Sequence, residues 1–223
     1  FETTGDEPFE LMVDRPVSCV LIQRDGTPVV LVGYDHLFEQ VAGQEYRVSA
    51  GSFFQVNTPG AEALVDAVIS YLSPRPYETL LDLYCGVGLF SLVLAARVAQ
   101  VIAVEANPAA VADARFNVEA AGLDNVRVIA GDVANILVAL DEPVHAAILD
   151  PPRSGCGAEV VARLAALGPR RLVYVACDPA TLARDAKTFA AAGYRLVEVQ
   201  PLDLFPQTYH IESVGLFVRG ASA

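Results

Sequence analysis

The sequence predicts an α/β fold: a mostly parallel seven-stranded sheet, covered by helices on both faces, whose last strand runs antiparallel. Three observations carry this expectation. From Thr58 onward, short apolar runs alternate with segments of helical period. Some of those segments open on a capping side chain followed by proline, as at Asn107-Pro108 and Asp178-Pro179. No clear helical segment separates the last two apolar runs, so the final strand returns antiparallel.

In chain order, residues 1–50 read as a small β-rich segment. The runs at 17–22 and 29–32 flank Asp25-Gly26, a hairpin signal, and 46–50 is a third strand. Three strands are too few for an independent core, so this part packs on the rest of the chain or is the remnant of a larger domain. Thr58-Pro59 opens a helix to about Leu72, with Ala63, Leu64, Ala67, Val68 and Tyr71 at helical spacing. Strands are expected at 79–83, 101–104, 126–130, 146–149, 172–175, 196–201 and 214–218. Helices are expected near 88–98, 108–121, 132–140, 158–167 and 179–191, with Gly122 and Gly193 where helices should stop.

Of the 223 residues 53% are hydrophobic, enough for a substantial core. No apolar run reaches the ~18 residues of a membrane span, and residues 1–6 lack the basic start and apolar middle of a signal peptide. The missing initiator methionine suggests a fragment or a processed product. Cys19, Cys85, Cys156 and Cys177 are widely spaced with no CxxC, which argues against a metal site or a disulfide framework and for a reducing cytoplasm. The net charge of −12 argues at first against nucleic acid. Its distribution softens that: residues 1–150 hold 7 basic and 21 acidic side chains, residues 151–200 hold 7 basic and 4 acidic. The basic segment reads either as arginines on solvated helix faces or as a surface for an anionic substrate.

Two groups of residues carry chemistry. In the first, Asp82, Gly86 and Gly88 stand at the end of an apolar strand, where glycines let a ligand approach the backbone. Glu105 ends the next strand, positioned to reach a ribose diol, and Asp132 after the third can meet an adenine edge. A nicotinamide cofactor would fit the turn equally well. Ser91 in place of a third glycine, and the likeness of the Asp82-x-x-x-Gly86-x-Gly88 pattern to the first motif of class I methyltransferases, favour S-adenosylmethionine. Cys85 reads as packing.

In the second group, Asp150-Pro151-Pro152-Arg153 comes after the fourth strand, and the prolines present Asp150 at its end. Cys177 sits between a strand end and a helix start capped by Asp178, where the helix field favours a thiolate. A strand-end cysteine is more often a small apolar residue. His210 and Glu212 lie in a loop that could reach the same edge; taken alone, they read as a structural hydrogen-bonder and a solvated carboxylate.

The segments 52–57, 81–88, 150–155, 177–185 and 205–213 occur in an order that resembles the RNA 5-methyluridine methyltransferases, which act on tRNA and 23S ribosomal RNA. The resemblance covers about residues 45–223 and implies a Rossmann-like class I methyltransferase domain over 51–223. It implies Cys177 as nucleophile and Glu212 as general base. It places Gln55, Tyr84, Gly86, Gly88, Glu105, Asp132 and Asp150 at the cofactor, and Asp150, Arg153 and His210 at the substrate. Leu89 departs from the asparagine common in that family. Neither its N-terminal RNA-binding barrel nor its four-cysteine iron–sulfur cluster is visible here, since only Cys19 precedes the catalytic module.

The implied partner is RNA, with no membrane and no metal; the oligomeric state stays open. Phe54 or Tyr209 could stack on the target base, with packing as the alternative. RNA cytosine-C5 enzymes place their cysteine after the fourth strand, where this chain has Pro152-Arg153 with Cys156 just beyond, which favours uridine. A silent RNA- or cofactor-binding module would need neither Cys177 nor Glu212.

Overall fold

The computed structural model describes residue 14, residues 17–24 and residues 26–220. Asp25 of the expected hairpin signal and residues 1–6 lie outside the described residues. Two antiparallel hairpins open the chain, β1 (Cys19–Ile22) with β2 (Pro28–Val32) and β3 (His36–Val41) with β4 (Gln44–Ser49). The sequence reading missed β3. Its adjacent Leu37 and Phe38 are both exposed, so it shows no apolar alternation, and Ala42-Gly43 turns it with two positive φ angles. Asp113 fastens β4 to the helix behind it. Its carboxylate accepts from Arg47 Nε (2.8 Å), Ser49 N (2.8 Å), Ser49 Oγ (2.7 Å) and Ser52 Oγ (2.6 Å).

The large sheet runs β10-β11-β9-β8-β5-β6-β7, built from β5 (Thr79–Leu83), β6 (Gln100–Glu105), β7 (Val126–Ala130), β8 (Ala146–Leu149), β9 (Arg171–Ala176), β10 (Tyr194–Leu202) and β11 (Glu212–Arg219). Only β11 is reversed, pairing antiparallel with both β9 and β10. The expected strands are all present; β10 and β11 extend further, because a two-stranded antiparallel ribbon continues past the point where the parallel strands stop.

Alternate residues feed two cores. Leu80, Val101, Ile148, Val173 and Val175 face α1 (Thr58–Leu72), α2 (Leu89–Ala95) and α3 (Pro108–Ala120). Leu81, Ile102, Leu149, Leu172 and Tyr174 face α4 (Val133–Ala139), α5 (Gly157–Leu167) and α6 (Pro179–Ala191). Strands covered on both faces read as continuous apolar runs, which is why they were legible. The expected helix at 88–98 ends at Ala95. Asn57, Asn107, Asp132 and Asp178 cap α1, α3, α4 and α6, each accepting from a backbone N–H of the first turn.

Candidate active site

A cavity of about 680 Å³ opens at the carboxyl ends of β5, β6, β8 and β9, where open α/β sheets bind ligands. Its floor comes from the residues that succeed each strand. Its walls come from Phe53 to Gln55 ahead of α1 and from Phe205, His210 and Glu212 around the β10–β11 connection. Asn57 joins those walls by donating through Nδ2 to Leu204 O (3.0 Å).

The half of the cavity at β5 and β6 is built by backbone. Tyr84 (φ 63°), Gly86 (φ 56°) and Gly88 (φ 94°) all take left-handed conformations, turning the chain sharply from strand into α2. Glu105 holds that turn: its carboxylate accepts from Gly86 N (2.9 Å) and from Ala106 N and Asn107 N (2.8 Å each). Beneath it Asp82 is fully buried, and burial pushes its carboxyl up to about 6 even though Ser91 Oγ donates to it at 2.5 Å. Gln55 lines the cavity, yet its buried Oε1 has no hydrogen-bond partner. Such an orphaned acceptor fits a bound polar ligand.

The half at β8, β9 and β11 is built by side chains from separate segments. Because β11 is antiparallel, its first residues lie beside the end of β9. Ser213 pairs with Ala176, which sets Glu212 across from Cys177. Asp150 comes directly after β8, its N–H donating to Leu83 O (3.2 Å). Burial raises the Glu212 carboxyl to about 7. Burial, and then the charges of Glu212, Asp82 and Glu105, hold the Asp150 carboxyl well above the usual range.

The Cys177 thiol is also pushed up, by burial first and then by Glu212, with the Arg153 guanidinium opposing. This corrects the expectation that the helix field favours a thiolate. Burial and the Glu212 carboxylate outweigh that field, and the first amides of α6 are taken by the Asp178 cap, which accepts from Ala180 N (3.1 Å) and Thr181 N (3.2 Å).

The structure brings Gln55, Tyr84, Gly86, Glu105, Asp150, Arg153, Cys177, His210 and Glu212 to the cavity wall. Asp132 and Gly88 are not on that wall. Asp132 caps α4 through Asn135 N (3.1 Å), and Gly88 caps α2, with Leu92 only 3.0 Å from where its side chain would be. Of the two stacking candidates Phe54 lines the cavity, whereas Tyr209 is 87% exposed and rests on His210, ring centroids 4.2 Å apart.

The basic segment divides. Arg153 and Arg184 belong to the cavity end of the sheet, whereas Arg170, Arg171 and Arg195 stand at the opposite end, Arg171 bound to Glu78 at 2.7 Å. Sequence reasoning passed over Phe53 and Asn107, which also line the cavity. Phe53 is 68% exposed, and a large exposed aromatic beside a conspicuous glutamine was the available signal.

Among the described residues, no group of three or more metal-ligating side chains could hold a metal ion, and no helix is long and apolar enough to cross a membrane.

The model of the family described as tRNA (uracil-5-)-methyltransferase matches residues 14–220. An uncharacterised RNA methyltransferase of Thermosynechococcus vestitus is 44% identical over 84% of this chain and 42% of its own length. One from Streptomyces coelicolor is 44% identical over 94% and 46%. The chain thus spans under half the length of these two relatives. The Pyrococcus abyssi tRNA (uracil-54, C5)-methyltransferase, solved with S-adenosyl-L-homocysteine, superposes with a TM-score of 0.76 at 32% identity, over 90% of this chain and 50% of that one. The M. jannaschii tRNA m1G37 methyltransferase, at 15% identity and a TM-score of 0.67, shares the fold.

Proposed function

The chain belongs to the tRNA (uracil-5-)-methyltransferase family, and from that premise we propose that it methylates C5 of a uridine in tRNA or ribosomal RNA, using S-adenosylmethionine. The observation that carries this reading is the facing of Cys177 and Glu212 across β9 and β11, on one wall of a cavity whose other wall is the glycine turn. S-adenosylmethionine, when bound, supplies an electrophilic methyl group and two positive charges. Glu105 and Asp150 would hold it as acids on the cavity wall, the bound positive charge favouring ionisation of Asp150, and the free Gln55 Oε1 would accept a hydrogen bond from it. Residues 51–223 form the methyltransferase domain in this proposal, with residues 1–50 a small β-rich segment, the remnant of a larger domain, and the acidic balance of residues 1–150 leaves RNA affinity to be supplied partly elsewhere. The free cysteines fit the reducing cytoplasm.

C5 of uracil is too weak a nucleophile to take a methyl group unaided. The Cys177 thiolate adds to C6, and the electron pair of the C5–C6 bond moves to C5 as an enolate. C5 would then take the methyl group, the methyl–sulfur bond of the sulfonium breaking with its electron pair left on sulfur. Glu212 removes the C5 proton, the C6–S bond breaks, and the pair left behind restores the C5–C6 double bond. A carboxylate with a pKa of about 7 is matched to that removal near neutral pH. Arg153 faces the thiol and favours its ionised form. The uridine must leave its stack to enter the cavity. Arg153 stands where a cytosine-type enzyme would carry its cysteine, and Cys156, three residues beyond, has its thiol pushed up to about 12, first by burial, and turned onto Asp185 rather than into the cavity.

RNA carrying 5-fluorouridine tests the reading, because fluorine cannot leave as a proton does. With cofactor present, the wild-type chain should form an adduct that survives denaturing gels, and Cys177→Ala should form none. An adduct that persists in Cys177→Ala would refute the assignment.

A further inference from the structure

Arg153 acts on Cys177 from a different segment of the chain, so something must fix the gap between them. The turn that carries Arg153 has no regular structure, yet nearly every residue in it is tied to α6. Thr181 Oγ1 donates to Arg153 O (3.1 Å), and Arg184 Nη2 donates to Ser154 O (2.5 Å). Cys156 N donates to Asp185 Oδ2 (3.0 Å). Gly155, between them, has φ +81°, and a side chain there would collide with Arg184, Asp185 and Thr181. The turn therefore lies flat on the first two turns of the helix that begins two residues after Cys177.

Asp185 is the centre of this arrangement. It is buried at 3% exposure, and both of its oxygens are used. Oδ2 accepts from Cys156 N, from Cys156 Sγ (3.5 Å) and from Tyr174 OH (2.7 Å). Oδ1 accepts from Arg184 Nε (3.1 Å) and Nη2 (3.0 Å). One carboxylate thus joins the turn after β8, the strand β9 that leads into Cys177, and α6. These hydrogen bonds outweigh its burial and keep it ionised.

We propose that Asp185 is a positioning residue for the methylation reaction, locking the Arg153 turn onto α6 and so fixing the approach of the Arg153 guanidinium to the Cys177 thiol. Asp185 is absent from the cavity wall and acts through Arg153. The other groups that bear on Cys177 are Glu212 from β11 and Asp150 from the turn, two acids that raise the thiol, which leaves Arg153 as the cation that lowers it. Displacing it leaves the thiol to the two acids. The catalytic use of Cys177 rests on the function proposed above, whereas the coupling of Asp185 to the thiol does not.

Iodoacetamide labelling of Cys177, read by peptide mass spectrometry from about pH 6 to about pH 10, reports on the thiol without any methyl transfer. Asp185→Asn keeps an acceptor for Cys156 and Tyr174 but loses the charge that holds Arg184. Arg184→Ala removes an exposed side chain and frees Ser154 O, so it reports even if Asp185→Asn fails to fold. Each should move the labelling midpoint up by about half a pH unit or more. Arg153→Ala should move it at least as far, and Asp185→Asn added to Arg153→Ala should move it no further. In methylation assays both positioning variants should lose about tenfold in kcat while KM for the cofactor stays within about twofold. An unmoved midpoint in folded Asp185→Asn or Arg184→Ala overturns the proposal, as does additivity with Arg153→Ala. A shifted midpoint in a chain that methylates no uridine keeps the coupling and refutes the function instead.

Discussion

The two halves of the cavity are made by different means. At β5 and β6 a contiguous turn presents backbone to the ligand, and a single acid, Glu105, braces it through three amides. At β8, β9 and β11 the candidate reacting groups come from three segments that meet only in the folded sheet, and Glu212 raises both the Asp150 carboxyl and the Cys177 thiol. A local turn can hold a shared cofactor with few residues. Covalent activation of a base needs a nucleophile, a proton acceptor and a cation at set distances, and no single turn supplies all three. Substitutions in the first half should therefore weaken binding, and those in the second should stop turnover after binding.

Glu212→Gln tests that separation most severely. Cofactor affinity should be unchanged, turnover should fall by about 10²–10⁴-fold, and a methylated RNA–protein adduct should accumulate on denaturing gels. Loss of cofactor binding with no adduct would break the separation. Glu105→Ala should do the reverse. It should cost about 10–100-fold in cofactor affinity by calorimetry, while the single-turnover rate at saturating cofactor stays within a few fold of wild type. A rate loss that saturation cannot restore would show the halves to be one unit.

The smallest effect is on stability. Glu212 has its folded pKa raised to about 7, above the value near 4.3 of an unfolded glutamate. Folding therefore favours the protonated form, and the stability this gives is full below about pH 4 and lost as pH rises through 7. Glu212→Gln should be more stable than wild type at pH 8, on the order of 1–2 kcal/mol because water reaching the cavity reduces the full effect. The advantage should fade by pH 5 in thermal melts. An advantage that is the same at both pH values would mean that packing, rather than charge, sets it.

The legible parts of the molecule were those whose information is local. Leu80 to Leu83 with Gly86 and Gly88 announce a strand, a turn and a helix within ten residues, and the Asn-Pro and Asp-Pro caps mark helix starts directly. Glu212 read on its own as a loop carboxylate. Its partner depends on the register of β11 against β9, which pairs Ser213 with Ala176 across a long stretch of chain, and only the family resemblance pointed to it. Asp185 was silent for the same reason: an acid beside Arg184 on a helix looks like a solvated pair until the turn after β8 is laid over it. Asp132 differs: the rule that acids after successive strands face the cofactor is positional, and here Oδ1 caps α4 through Asn135 N while the residue is off the cavity wall.

The place of β11 in the sheet has a consequence for how the chain is made. It is inserted between β9 and β10, and β10 has no other partner in the sheet. A ribosome that has released residues through Leu202 has therefore delivered a strand with nothing to pair with. The sheet can close only when Glu212 to Arg219 emerge and the two strands dock as a hairpin. Until then β9 stands at an open sheet edge and nothing holds Glu212 beside Cys177, so the same event that completes the fold also brings these two groups together. A chain stopped short of Glu212 would lose two strands from the sheet rather than one.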